Sequence, residues 1–147
     1  MATLRELDSS DFDDIKTLFR DVFTQPPWND DWSDEAQLDA YLKDLMGART
    51  PLTLGLIEDG ELIGLSLGSI KHWYEGTEYV IDELCIRTDL QRKGYGTRFL
   101  ALIEEHLRSL DLHVIYLTTD REVPAFGFYL SHGFKGAPTD VALYKVF

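Results

Sequence analysis

The sequence predicts an α/β protein whose mixed β-sheet is flanked by helices. Two β-rich runs, Leu52 to Glu58 and Glu61 to Lys71, are separated by Asp59-Gly60, a two-residue hairpin signal. A mainly apolar stripe recurs at three- and four-residue spacing in Phe12, Ile15, Leu18, Phe19, Val22 and Phe23, and again in Phe99, Leu102, Ile103, His106, Leu107 and Leu110, where His106 is its one polar member. Between these patterns, Glu78 to Leu110 reads as strand, polar loop and helix.

Taken in order, Thr3 to Glu6 is expected as an edge strand, and Ser9 or Ser10 as the cap of the first helix. Pro26-Pro27 ends that helix. The aromatic and acidic stretch Trp28 to Glu35 leads into a second helix, with Ser33 as its expected cap, Leu38, Tyr41, Leu42 and Leu45 as its buried face, and Gly47 as its stop. The hairpin and a connection at His72 to Thr77 precede the central strand, which contains Tyr79, Val80, Ile81, Leu84, Cys85 and Ile86. After the long helix, His113 to Thr118 reads as a buried strand, and Pro124 opens a short helix closed by Gly133. Strands are expected from Phe134 onward and at Ala142 to Phe147. The predicted order is β-α-α-β-β-β-α-β-α-β-β.

A length of 147 residues, 44% hydrophobic and 27% charged, suits a single globular domain spanning 1–147. No apolar run approaches the roughly 18 residues a membrane span requires, and Met1-Ala2-Thr3-Leu4-Arg5 lacks a signal-peptide pattern, so a cytoplasmic location without membrane association is the default expectation. A net charge of −12 argues against nucleic acid as a partner and is compatible with a cationic substrate, although acidity also serves solubility. Cys85 is the one cysteine, which excludes an internal disulfide and a cysteine-rich zinc site. The four histidines pair with no acid at helical spacing, so no metal is expected.

The run Gln91-Arg92-Lys93-Gly94-Tyr95-Gly96-Thr97 has the chemistry of an anion site. Glycines let backbone approach a ligand closely, the opening turn of a helix leaves N–H groups unpaired, and Arg92 and Lys93 add positive charge. A nucleoside-triphosphate P-loop is not matched, because no Gly-Lys pair is followed by Ser or Thr, and Phe99 stands where a dinucleotide fingerprint requires a third small residue.

Gln91-x-x-Gly94-x-Gly96 after a strand resembles the acetyl-coenzyme A pyrophosphate loop of the GNAT superfamily of N-acetyltransferases. Phe128-Tyr129-Leu130-Ser131-His132-Gly133-Phe134 resembles that superfamily's later F-Y-x-x-x-G-F segment. The resemblance spans nearly the whole chain and implies the GNAT-like fold, acetyl-coenzyme A as cosubstrate, and direct transfer of acetyl to a primary amine. It also implies a bulged central strand whose main chain at Leu84, Cys85 and Ile86 receives the cofactor arm, phosphates on the N–H groups from Gln91 to Thr97, and Tyr129 as general acid toward the leaving thiolate. One common position of the family's base falls on Val80, which cannot accept a proton. The candidates are then Glu83, Asp82 and Asp120 in that order, with an already neutral amine and waters as the alternative.

The resemblance also implies that the loop between the first two helices lies over the acceptor site, so that Trp28 approaches the acceptor amine with Asp30, Asp31, Asp34 and Trp32 available to hold a cation, and Tyr74 is expected to approach it from the connection before the central strand. Pro26-Pro27-Trp28-Asn29 and Tyr116 to Asp120 resemble aminoglycoside 6′-N-acetyltransferases, which makes a polycationic small molecule the first expected acceptor and a peptide or protein amine the second. A module that binds acetyl-coenzyme A without turnover is the rival reading. Monomer and homodimer are both open.

Overall fold

In the computed structural model, which describes residues 1–147, nine principal elements follow the chain: β1 (Thr3–Glu6), α1 (Phe12–Phe23), α2 (Glu35–Met46), β2 (Pro51–Glu58), β3 (Glu61–Trp73), β4 (Gly76–Ile86), α3 (Tyr95–Ser109), β5 (Val114–Leu117) and α4 (Pro124–Ser131). The strands form one mixed sheet in sequence order. β1 to β4 are antiparallel neighbours, and β5 adds parallel to β4 through the crossover helix α3.

Each sheet face carries its own core. Leu52, Leu54 and Leu56 of β2 and Tyr79 and Ile81 of β4 pack with Phe99, Ile103 and Leu107 of α3. On the other face, Leu65 and Leu67 of β3 and Cys85 of β4 meet Ile15, Phe19 and Val22 of α1 and Leu38 and Leu42 of α2. Lys16 bridges Glu35 and Asp39 at 2.7 Å each, joining α1 to α2.

Several local expectations are corrected by the structure. Ser9 and Ser10 lie in a short 3-10 turn capped by Asp8, whose carboxylate accepts from Ser10 N at 2.8 Å. Asp34, not Ser33, caps α2 by accepting from Gln37 N. A carboxylate at each place out-competes the neighbouring hydroxyl for the free N–H groups of a first turn. His72 and Trp73 belong to β3 rather than to a connection, because the β3–β4 ladder continues as far as Trp73↔Gly76. Leu110 ends outside the core and is exposed.

The two strands expected after α4 do not form. Gly133 leaves the helix at φ +88°, Phe134 N donates back to Tyr129 O at 3.1 Å, and the Phe134 ring packs on Tyr129. Phe134 thereby closes α4 instead of starting a strand. Beyond it, Leu143, Tyr144, Val146 and Phe147 are exposed and have no ladder partner. Alternation marks a segment that could use a half-buried face, but a strand needs a neighbour to bond.

The feature that positions the site is one unmatched residue. Along β3 and β4 the register passes from Gly68↔Ile81 to Leu67↔Glu83, so Asp82 has no partner and forms a β-bulge. Before the bulge, Tyr79 and Ile81 face α3. After it, Leu84 and Ile86 take that face while Glu83 and Cys85 turn toward α1 and α2. Tyr79 braces this region from below. Its ring crosses Gly68, and its hydroxyl donates to Leu52 O at 2.9 Å and lies 2.8 Å from Ser66 Oγ, all fully buried.

A Cβ on Gly68 would stand 2.5 Å from Val80 O and 2.6 Å from the Tyr79 ring. Gly68→Ala is therefore expected to destabilise the fold by about 1–3 kcal/mol, the usual cost of overpacking a core, read as a lower urea midpoint with an unchanged slope.

Candidate active site

β4 and β5 part company halfway along. Their parallel pairing ends at Ile81↔Leu117, while β4 runs on through Ile86. The β4 edge that faces away from β3 over Asp82–Ile86 consequently has no strand beside it. A cleft of 420 Å³ lies along this free edge, walled by Leu84, Cys85 and Ile86 on one side and by Pro124, Ala125, Phe128 and Tyr129 of α4 on the other. It continues to Gln91, Arg92, Gly94, Gly96 and Thr97 at the start of α3, and to Pro26, Pro27 and Trp28 at the opposite side. Backbone groups freed from a ladder beside an apolar wall can receive an extended ligand arm by strand-like bonding. One carbonyl is already engaged, since Gln91 Nε2 donates to Ile86 O at 3.0 Å.

The loop has the shape an anion site demands. Gly94 is the N-cap of α3 at φ +89°, with nothing within 4 Å of where a side chain would begin, and Arg92 takes φ +62°. No side chain caps the helix, which leaves its first N–H groups open toward the cleft. Gly96 lets the Phe128 ring close in; a Cβ there would stand 3.1 Å from it. The two helices are further tied where His132 stacks on Phe128 at 4.2 Å and its Nε2 meets Thr97 Oγ1 at 2.9 Å. Lys93 and Tyr95 do not line the cleft, and the Tyr95 hydroxyl instead donates to Glu58.

Among the candidate acids, the bulge separates Glu83 from the rest. Burial raises its carboxyl to about 6, the charges of Asp30 and Asp82 push in the same direction, and a hydrogen bond from Tyr41 at 2.7 Å opposes them. Asp82, in the bulge itself, is exposed and only raised by partial desolvation. Asp120 is exposed in the turn after β5, where it accepts from Glu122 N at 2.8 Å. None of the three acids lines the cleft, and Glu83 reaches its edge through the neighbouring Cys85 and Tyr129. Tyr129 is raised to about 12, first by burial and then by the neighbouring Cys85 and Glu83. Burial also raises the Cys85 thiol far above the neutral range, so its side chain stays protonated and is a poor nucleophile.

Trp28 lines the cleft and packs on Phe23 at 5.5 Å. Tyr74 sits 83% exposed at the β3–β4 turn against Trp73, away from the cleft residues. The pairing of Tyr41 with Glu83 was not foreseen. A tyrosine within a leucine stripe was its one sequence signal, and without the bulge nothing would have turned Glu83 to meet it.

Fold and cleft together define an α/β protein with an uncapped helix terminus at the end of an open strand fork. Residues 12–134 match the acetyltransferase (GNAT) family, and the chain belongs to that family, a class of acyltransferases. No curated protein matches it by sequence. Among solved structures, a transcriptional regulator from Bacillus halodurans C-125 is similar at 18% identity and a TM-score of 0.74, covering 100% of both chains. AAC(6')-Iy in complex with a CoA-S-monomethyl-acetylneamine bisubstrate analogue gives 16% identity and 0.74, covering 100% of this chain and 99% of that one. A predicted acetyltransferase with acetyl-CoA from Clostridium acetobutylicum gives 14% and 0.74, covering 98% and 96%. These likenesses establish the fold. No helix is long and apolar enough to cross a membrane.

The raised Glu83 carboxyl has a consequence for stability. The folded value of about 6 lies above the ordinary glutamate value of 4.5, so the folded chain holds this proton more tightly than the unfolded one. The group therefore disfavours folding above pH 6, and that cost fades as pH falls through 6 toward 4.5. Glu83→Gln is expected to melt above the parent protein at pH 8 and to lose that advantage progressively below pH 6, until it is gone below 4.5, as measured by thermal denaturation across pH.

Proposed function

We propose that this chain transfers acetyl from acetyl-coenzyme A directly to a primary amine of a cationic small molecule. The observation that carries the reading is the fork: an unpaired strand edge and a left-handed glycine loop share one cleft where β4 leaves β5, and the raised carboxylate of Glu83 neighbours its lining residues Cys85 and Tyr129. Acetyl-coenzyme A fits these residues, and when bound it supplies an activated acetyl thioester. The main chain of Leu84, Cys85 and Ile86 would hold its arm, and the N–H groups at the start of α3 would hold its phosphates, with dipole help of about 0.3–1 kcal/mol. The solved relative with acetyl-CoA and the relative with a CoA-linked neamine analogue support this assignment of the cosubstrate.

Glu83 takes the proton that the acceptor amine must shed. A carboxyl near 6 is ionised at neutral pH yet basic enough to be useful. Tyr129, held protonated by its burial, donates to the departing sulfur from the opposite wall. The inertness of the Cys85 thiol favours direct transfer over an acetylated enzyme. The charges of Asp30 and Asp82 around Glu83, and the Trp28 ring in the cleft wall, favour a cationic acceptor, and the neamine-linked relative supports an aminoglycoside-like one.

Two variants test this reading. Gly96→Asp directs a carboxylate at the phosphate seat and a Cβ at Phe128, so calorimetric affinity for acetyl-coenzyme A should fall at least tenfold in a folded protein. Unchanged affinity would relocate the phosphate site. Thiol release is then followed over neamine, a polyamine and a lysine peptide. With the amine that turns over, Tyr129→Phe should lower kcat by about 10²–10⁴-fold, with little change in cofactor affinity. Cofactor binding without thiol release from any amine would instead identify a binding module.

A further inference from the structure

The hydroxyl of Tyr41 donates to Glu83 Oε1 at 2.7 Å, across 42 residues of sequence and from α2 to the bulged strand. Tyr41 is itself held on two sides: its ring stacks on Trp32 at 5.2 Å and 21°, and packs at 6.0 Å from Phe19, which is 1% exposed. Trp32 in turn meets Phe19 edge-on at 5.6 Å. The hydroxyl is therefore presented by a rigid aromatic group anchored in the α1–α2 core. An isolated carboxylate on a strand would rotate freely about its terminal bond, whereas one oxygen held by a fixed donor sets the plane of the other.

Resting on Glu83 as the base, we propose that Tyr41 is its positioning residue: the hydroxyl occupies Oε1 and leaves Oε2 as the oxygen that takes the proton from the acceptor amine. The same bond opposes the other influences on this carboxyl. Asp30 from the α1–α2 loop and Asp82 from β4 disfavour its charge, as does burial. Cys85 of β4 and Tyr129 of α4 also face it, both protonated at neutral pH, and its β3 partner Leu67 carries no charge. Tyr41 is the donor that acts for the ionised form. A wall of aromatic rings thus tunes the reacting group without touching the substrate.

Tyr41→Phe removes the donor and keeps the ring on Trp32. In protein labelled with carboxyl-¹³C glutamate, the Glu83 resonance, assigned by its loss in Glu83→Gln, should titrate near pH 6 in the parent and roughly one pH unit higher in Tyr41→Phe. In the unsubstituted protein the ¹³Cζ resonance of Tyr41 should shift with the Glu83 midpoint. Neither reading needs an acceptor. For an amine that the chain turns over, the acid limb of kcat should move up with that midpoint while the KM for the amine stays unchanged. An unmoved Glu83 midpoint, a Tyr41 resonance flat through it, or a kcat profile identical in Tyr41→Phe would each overturn the positioning role. Turnover retained by Glu83→Gln would instead overturn the base itself, so the two failures are separable.

Discussion

One unpaired residue in β4, Asp82, sets which side chains of that strand face each core. Side chains alternate across a strand, so a single inserted residue reverses the face of all that follow. Without it, Glu83 would fall on the α3 side and Leu84 would face α1 and α2. With it, an acidic side chain enters the face where Tyr41 waits, and the apolar Leu84 and Ile86 return to the α3 core. The same local distortion coincides with the end of the β4–β5 ladder, so the strand edge opens where the acid has been turned.

That geometry persists because the strand beneath it is over-determined. Tyr79 fills the space that Gly68 leaves empty and satisfies its hydroxyl between Ser66 and the Leu52 carbonyl. A fully buried tyrosine with both partners made ties three strands at one point. The braced half of β4 lies before the bulge and the half that walls the cleft lies after it.

The cleft combines two kinds of cost. Burial raises the carboxyl of Glu83 and keeps Tyr129 protonated, and each is a departure from what would stabilise the fold best. The aromatic group of Phe19, Trp32 and Tyr41 offsets part of this by offering the acid one fixed donor. The loop at the other end is held by a different means, with Phe128 and His132 of α4 closing on Gly96 and Thr97. The glycine loop and the Glu83 carboxyl are thus supported by different elements, the first by α4 and the second by α2.

Much was legible in the sequence because it is local. Hydrophobic period placed α1, α2 and α3, Asp59-Gly60 placed the β2–β3 hairpin, and the spacing of Gly94 and Gly96 placed a glycine loop at a helix start. Family resemblance carried these local signals as far as an acetyltransferase, and residues 12–134 match that family. What tertiary structure alone decided depends on partners distant in the chain. The tail after Phe134 has a strand's alternation yet no neighbour to bond, so it forms none. Asp82, Glu83 and Asp120 are equivalent as carboxylates in the sequence. They differ only once a register shift exposes the first, buries the second against Tyr41, and leaves the third in a solvent-facing turn. A register shift is a relation between two strands, and no pattern within one of them can specify it.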